Sequence, residues 1–333
     1  MPESPESQKF TMRIVIVLLM FIGLESELFS ISLQQGILSN SPSPLKIPTY
    51  DGSGQITHPD VISFEFPWNN YIHWMVATPY PDRNAAHENP SIFASNDGKN
   101  WSVPAGISNP IARPPANAYL SDPDIVYHPS YGIRVYYRLV DESNNRIFFI
   151  QSSDGRKWTQ PVETIAVPNH QLISPAVIVR ENQYIMYSVK LSGNNNTRVE
   201  RRRSKDGIKW RLPEDVTVLN VKDDIIWHID ASYVPIRKEF WLLFYSYPSS
   251  FLYLAVSKDG LRFNTLPVPL LAGSEEPKAW KQGVFWDSGL YRSTFQVSRK
   301  GEFLLWYTGT KAPADSHIGF VKADLRKILP YIP

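Results

Sequence analysis

A seven-residue phrase that occurs four times restricts the fold of this chain more than any other feature. Ser-x-Asp-Gly-x-x-Trp/Phe stands at 95–101, 152–158, 204–210 and 257–263, with its Asp at 97, 154, 206 and 259, so the spacings are 57, 52 and 53 residues. A period of that length belongs to an array of similar structural units. Before each phrase lie short runs rich in β-branched and aromatic residues: 124–127, 133–138 and 147–151 in the second unit, and 176–179, 184–189 and 197–200 in the third. The fourth has 231–234, 240–245 and 252–256. Runs this short predict strands rather than helices. Asp-Gly supplies the positive φ of a tight turn, and the closing Trp or Phe is expected to begin a fourth strand.

A fifth unit lacks the phrase and keeps the rhythm, with runs at 290–297, 303–307 and 317–321, and the first unit begins near His58. The fold class is therefore all-β, and the expected architecture is a five-bladed β-propeller of four-stranded antiparallel blades over 55–333. No polar capping repeat marks either end, which argues against an open solenoid. Residues 31–54 read as a linker or as a strand that closes the ring.

Residues 14–24 are an apolar run of 11 behind Lys9 and Arg13. That is the pattern of a secretory signal and short for a membrane span, so 1–30 is expected to be a signal peptide or an N-terminal anchor, and the protein secreted or held at the cell surface. The sequence contains no cysteine, which removes disulfides and thiolate chemistry. A net charge of +2 gives no reason to expect nucleic acid. The basic stretch 198–205 falls on a predicted third strand and reads as an outer face.

In a ring of such units the first strand of each lines the axis, and the residues that begin those strands form a polar column. It reads His58-Pro59-Asp60, Asp122-Pro123-Asp124, Ser174-Pro175-Ala176, His228-Ile229-Asp230 and Tyr291-Arg292-Ser293. An Asp beside Pro also ties down a turn by accepting from nearby amides, so each acid has a structural reading beside its chemical one. The connection 77–90 is the longest insertion of its kind and carries Tyr80 and Glu88. Trp286 and Asp287 precede the fifth unit. Carboxylates with aromatic faces are what glycoside hydrolysis needs. The candidate catalytic set is Asp60, Glu88, Asp122, Asp124 and Asp230. Candidate substrate contacts are His58, Tyr80, His228, Trp286, Asp287, Tyr291 and Arg292. His58, His73, His87 and His228 have no compact ligand spacing, so no metal site and no cofactor is expected, although an ion held by carboxylates in the channel stays open. The expected partner is an oligo- or polysaccharide, with no nucleic acid and a membrane only through the N-terminal anchor.

The turns, Pro59-Asp60-Val61, Pro123-Asp124-Ile125, Glu88-Asn89-Pro90 and the run 291–295 make 55–330 resemble the five-bladed propeller superfamily of glycoside hydrolases, of the arabinanase and β-xylosidase (family 43) and invertase types. The resemblance implies an Asp base from the first blade, here Asp60. It also implies a supporting Asp, here Asp122 or Asp124, and a Glu acid from a later blade. The fourth blade carries Asp230 where that acid is expected, and Glu88 is the substitute. The alternatives are a carbohydrate-binding propeller without catalysis and a protein-interaction scaffold.

Overall fold

The computed structural model describes residues 36–192, 196–221, 225–273, 287–311 and 315–333. The apolar run 14–24 and Trp286 lie outside them. Among the described residues no helix is long and apolar enough to cross a membrane.

The chain from Ile37 onward is one compact unit of antiparallel strands. The first group is β1 (Ile56–Trp68), β2 (Tyr71–Pro79) and β3 (Ser91–Ser95); the second is β4 (Tyr119–His128), β5 (Gly132–Val140), β6 (Asn144–Ser152) and β7 (Val162–Pro168). The third is β8 (Ile173–Arg180), β9 (Gln183–Ser192), β10 (Asn196–Ser204) and β11 (Glu214–Leu219). The fourth is β12 (Ile225–Val234), β13 (Glu239–Tyr247), β14 (Leu252–Ser257) and β15 (Arg262–Thr265). The last is β16 (Gly289–Val297), β17 (Glu302–Lys311) and β18 (Asp315–Asp324).

The expected five-by-four count is not what the sheets show. Two groups have three strands, and the third and fourth merge into an eight-stranded sheet where β11 pairs in parallel with β15. A fourth strand is reduced to one bridge, Ala94 with Ser102, in the first group. At the edge of the last group Leu45 N–H donates to Ile318 O at 2.8 Å. The aromatic of the phrase starts no strand in the second and third groups: Trp158 and Trp210 precede β7 and β11.

Two relations join the groups. β1 packs on β4, β4 on β8, β8 on β12, β12 on β16, and β16 back on β1. The buried apolar residues fall into five clusters, each between one group and the next. Trp74, Val76 and Ile92 meet Leu120, Ile125 and Val135, for example, and Met75, Phe93 and Trp101 meet Trp306, Ile318 and Phe320.

The repeated phrase builds the same turn each time. Ser95 Oγ donates to Asp97 Oδ1 at 3.0 Å, and that oxygen accepts from Lys99 N at 2.9 Å and Asn100 N at 2.8 Å. Asp154, Asp206 and Asp259 repeat the pattern. The glycine, with φ of 69–72°, lets the turn lie against an aromatic side chain on the second strand of the preceding group. Gly98 O accepts from Trp306 Nε1 at 2.8 Å, Gly207 O from the Tyr136 hydroxyl at 2.9 Å, and Gly260 O from the Tyr187 hydroxyl at 2.8 Å. Gly155 lies against the Trp74 ring. The Gly residue is therefore required twice, by its φ and by the close approach.

This separates two glycine substitutions. In Gly155→Ala the new Cβ collides with Trp74, whereas Gly301, with φ of 79°, has nothing within 4 Å. Gly155→Ala is expected to cost about 3 kcal/mol and Gly301→Ala about 1 kcal/mol. Guanidinium unfolding midpoints read the difference, and equal midpoints would remove the packing role assigned to the turn.

Candidate functional site

All five inner strands slip register near their start, at 57/60, 121/124, 173/176, 226/228 and 290/293. The bulges place two residues of each strand, i and i+2, at two levels of the axis. One level is His58, Asp122, Ser174, His228 and Arg292; the other is Asp60, Asp124, Ala176, Asp230 and Thr294. His58, Asp122 and Ser174 have φ of 54°, 49° and 50°, a strained conformation for residues with a Cβ. The strain coincides with the level at which the imidazoles meet.

The Asp60 level is knitted into backbone. Asp60 Oδ2 accepts from Ile125 N at 2.6 Å, Asp124 Oδ2 from Val177 N at 3.1 Å, and Asp230 Oδ2 from Phe295 N at 3.0 Å. Thr294 Oγ1 donates to Asp60 Oδ1 at 2.9 Å, which joins the last group to the first. Ala176 has no such group, and there Ser174 Oγ bonds both N and O of Ile229 at 3.0 Å. Every joint between neighbouring inner strands thus carries at least one buried side chain bonded across it. The same carboxyls line a cavity of ≈ 500 Å³ that opens along the later part of the inner strands. Burial pushes Asp230 up to about 7, with the Asp60 charge adding to it, and pushes Asp60 and Asp124 up as well.

The His58 level is a separate arrangement. Asp122 has no solvent exposure. Its Oδ2 receives Arg138 Nε at 3.1 Å and Ser174 N at 3.1 Å. Its Oδ1 faces His58 Nε2 and His228 Nδ1, each at 3.5 Å, with Arg292 Nη1 at 3.9 Å. Burial alone would raise the Asp122 carboxyl, but Arg138, the two imidazoles and Arg292 together hold it well below the usual range. Burial pushes His58 down to about 3 against the pull of Asp122, and drives His228 well below its ordinary value, so both imidazoles are neutral.

Glu88 reaches this level from the 77–90 connection. A one-turn 3-10 segment, Ala85–His87, ends on it, and Tyr50 donates to His87 O at 3.0 Å while Asn89 Nδ2 donates to Tyr50 at 2.9 Å. The loop so pinned buries Glu88, whose Oε1 is 3.3 Å from His58 Nδ1. Burial and then the Asp122 charge push its carboxyl well up. Tyr291 closes the side, its ring 4.4 Å from that of His228 and 5.3 Å from that of His58, and burial holds the phenol protonated. Tyr80 and Tyr119 stand near enough for Glu88 to raise their phenols beyond the effect of burial.

Six polar atoms at this level are buried and bonded to nothing: His58 Nε2, Asp122 Oδ1, both ring nitrogens of His228, and Nε and Nη1 of Arg292. Unbonded polar atoms aimed at one another are costly unless something joins them. The 3.5 Å from Asp122 Oδ1 to each imidazole is long for a hydrogen bond. It matches the edge of a tetrahedron whose metal–ligand bonds are about 2.1 Å, roughly 3.4 Å. His58, Asp122 and His228 can hold a divalent cation, with Glu88 and Thr78 fixing the second nitrogen of His58 in the way ligating imidazoles are usually oriented. The sequence put these three residues in one polar column but showed no compact ligand spacing, because they come from three groups of strands.

The other expected residues divide. Tyr291 and Arg292 belong to the cluster, Arg292 as a buried guanidinium that also donates to Pro175 O at 2.9 Å. Asp287 accepts from Asn40 Nδ2 at 2.8 Å and from the Tyr307 hydroxyl at 2.7 Å, so its carboxylate fastens the segment near residue 40. Arg138 was not in the expected set. It sits mid-strand on β5, where the sequence offers only a charge inside an apolar run as a signal.

No family model matches the chain. It is 28% identical over 346 residues to the A type blood N-acetyl-α-D-galactosamine deacetylase of Flavonifractor plautii, across 85% of this chain and 45% of that protein. The chain therefore spans less than half the length of that curated relative. A crystal structure of an N-acetylgalactosamine deacetylase from F. plautii, in complex with blood group B trisaccharide, superposes with a TM-score of 0.80 at 25% identity, covering 89% of this chain and 98% of that one. A thermostable family-43 glycoside hydrolase superposes at 0.59 with 12% identity, over 80% and 89% of the two chains. The resemblance to the propeller superfamily of family 43 holds as a likeness of fold.

Removing and returning a divalent ion tests the cluster. Dialysed protein is expected to bind one equivalent of Zn²⁺ or Mn²⁺ by calorimetry and to melt at higher temperature when loaded. His228→Ala is expected to weaken that binding by about 100-fold or more. Undiminished binding in a His58→Ala/His228→Ala protein would show that the ion goes elsewhere.

Proposed function

We propose that the chain is a five-bladed propeller, with first and last blades of three full strands, that removes N-acetyl groups from amino sugars of a glycan. The observation that carries this reading is geometric: buried, unbonded atoms of His58, Asp122 and His228 converge at 3.5 Å, and Glu88 Oε1 lies 3.3 Å from the second nitrogen of His58. Amide hydrolysis needs an electrophilic carbonyl, an activated water and a proton for the departing nitrogen. A divalent cation at His58, Asp122 and His228 would supply Lewis-acid polarisation and a more acidic water.

The chain's own residues supply the rest. Asp122, kept ionised by Arg138 and Arg292, contributes the negative charge of the site. Glu88 takes the proton of the attacking water and returns it to the sugar nitrogen as the C–N bond breaks, giving acetate and a free amine. Its raised proton affinity suits both transfers. Tyr291, protonated and packed against both imidazoles, is a donor for the oxygen that gains charge as water adds. Likeness to the deacetylase of F. plautii supports the same reading.

Glycoside hydrolysis by paired carboxylates is the second reading, favoured by the raised Asp60, Asp124 and Asp230 around the ≈ 500 Å³ cavity. It gives those acids two tasks at once, since each already accepts from the neighbouring strand. We assign Asp60 and its two counterparts to holding the ring, and the proton transfer to Glu88.

Products separate the readings. Incubation with blood group A trisaccharide is expected to release acetate and leave the sugar chain intact by ¹H NMR. Glu88→Gln should lower kcat by about 10²- to 10⁴-fold with KM within a few fold. Release of free sugar without acetate would transfer the function to the paired acids, and full acetate release by Glu88→Gln would remove its role.

A further inference from the structure

Beside the reactive cluster lies an aromatic pocket of ≈ 400 Å³, lined by Leu191, Ile225, Trp227, Tyr245, Tyr247 and Tyr291. We infer that this pocket is a subsite for the sugar next to the one that reacts, and that it makes the protein a reader of oligosaccharides rather than of single amino sugars. The inference rests on the His58 level being the reactive one.

The pocket grows out of the same strand irregularity that builds the cluster. On β12 the register slips between Ile226 and His228, which leaves Trp227 as the extra residue of the bulge. Trp227 faces the pocket while the next residue, His228, enters the cluster. Across the ladder Ile225 pairs with Tyr247 and His228 with Tyr245, so β13 supplies the opposite wall from residues two apart. Tyr291 is common to both compartments. Its ring lies 4.4 Å from His228 and 5.5 Å from Tyr245, and its hydroxyl interacts with Trp227. A saccharide with its reacting group at the imidazoles can extend past Tyr291, over Trp227 and Tyr245 toward Tyr247.

Tyr247 is 56% exposed. Phe66, Tyr131, Val162, Leu212, Ile236 and Tyr331 are the other large exposed apolar side chains among the described residues, and none of them lines this pocket. An exposed aromatic at the rim of a largely aromatic pocket gives a flat face to the C–H side of a pyranose while its hydroxyl stays in water. The described lining residues are all aliphatic or aromatic. They suit a sugar ring that presents an apolar face.

The test separates binding from turnover. Blood group B trisaccharide, which has no acetamide to lose, and methyl α-D-galactopyranoside, its one-ring counterpart, are titrated into the full protein by calorimetry. Wild type is expected to bind the trisaccharide at least tenfold more tightly. Tyr247→Ala should shrink that preference by roughly three- to tenfold, and Tyr247→Phe, which keeps the ring, should retain it. Equal preference in wild type and Tyr247→Ala overturns the subsite, and so does a wild type that binds neither ligand. Failure of acetate release with the preference intact would overturn the deacetylase reading alone. Matching unfolding midpoints for the three proteins confirm that a loss is local.

Discussion

Five sets of strands stand around one axis with no continuous hydrogen-bonded ladder among their inner strands, and buried side chains bonded across each joint hold them together. Asp60, Asp124, Asp230, Ser174 and Thr294 make those bonds. A carboxylate accepting a backbone N–H across such a joint satisfies two buried polar groups at once, and it fixes the height at which one strand meets the next. At the other end of three of these contacts the repeated turn presents its glycine carbonyl to a Trp or Tyr of the neighbouring group. The ring is therefore clamped near its hub by acids and toward its rim by aromatics, with an apolar cluster between the two.

This clamp decides what the hub can do. The bulges set residues i and i+2 of each strand at different heights. The Asp60 level makes most of the joining bonds, while the His58 level holds two imidazoles, one carboxylate, one hydroxyl and one guanidinium, of which Asp122 and Ser174 also bond across a joint. The charge of Arg292 acts on Asp122 at its own level and on Asp60, Asp124 and Asp230 at the other. A fixed positive charge there limits how much negative charge the buried acids leave uncompensated. The same charge helps keep His58 and His228 neutral, which a ligating imidazole has to be.

Much of the frame was legible in the sequence. The phrase with its Asp-Gly announced the turns, the β-rich runs announced the strands, and the X-Pro-Asp starts announced a polar axis. What the pattern could not resolve was the division of labour within X-Pro-Asp, since both residues point to the axis and only the bulge separates their heights. That is why Asp60 read as a base and turns out to bond Ile125, Val61 and Thr294. Arg138 was hidden for a related reason: it lies on a second strand, and its side chain matters only because Asp122 sits within 3.1 Å of it. Asp287 read as a channel residue and is held by Asn40 and Tyr307, a pairing across 247 positions that no local pattern records for Asn40.

Glu88 shows how the frame and the variable parts combine. Nothing in the repeat requires a carboxyl at that point, because the residue belongs to an insertion between β2 and β3. The insertion folds back through Tyr50, which accepts from Asn89 and donates to His87 O, and packs on β4, and this sets Glu88 over His58. A buried carboxyl beside His58 thus comes from a loop and not from an inner strand. Changing the length of that loop, or the Tyr50 anchor, would alter the chemistry while leaving every joint of the ring in place. The joints of the ring and the loop that carries Glu88 are therefore built from different residues, so a fold of this kind does not by itself fix the chemistry at its hub.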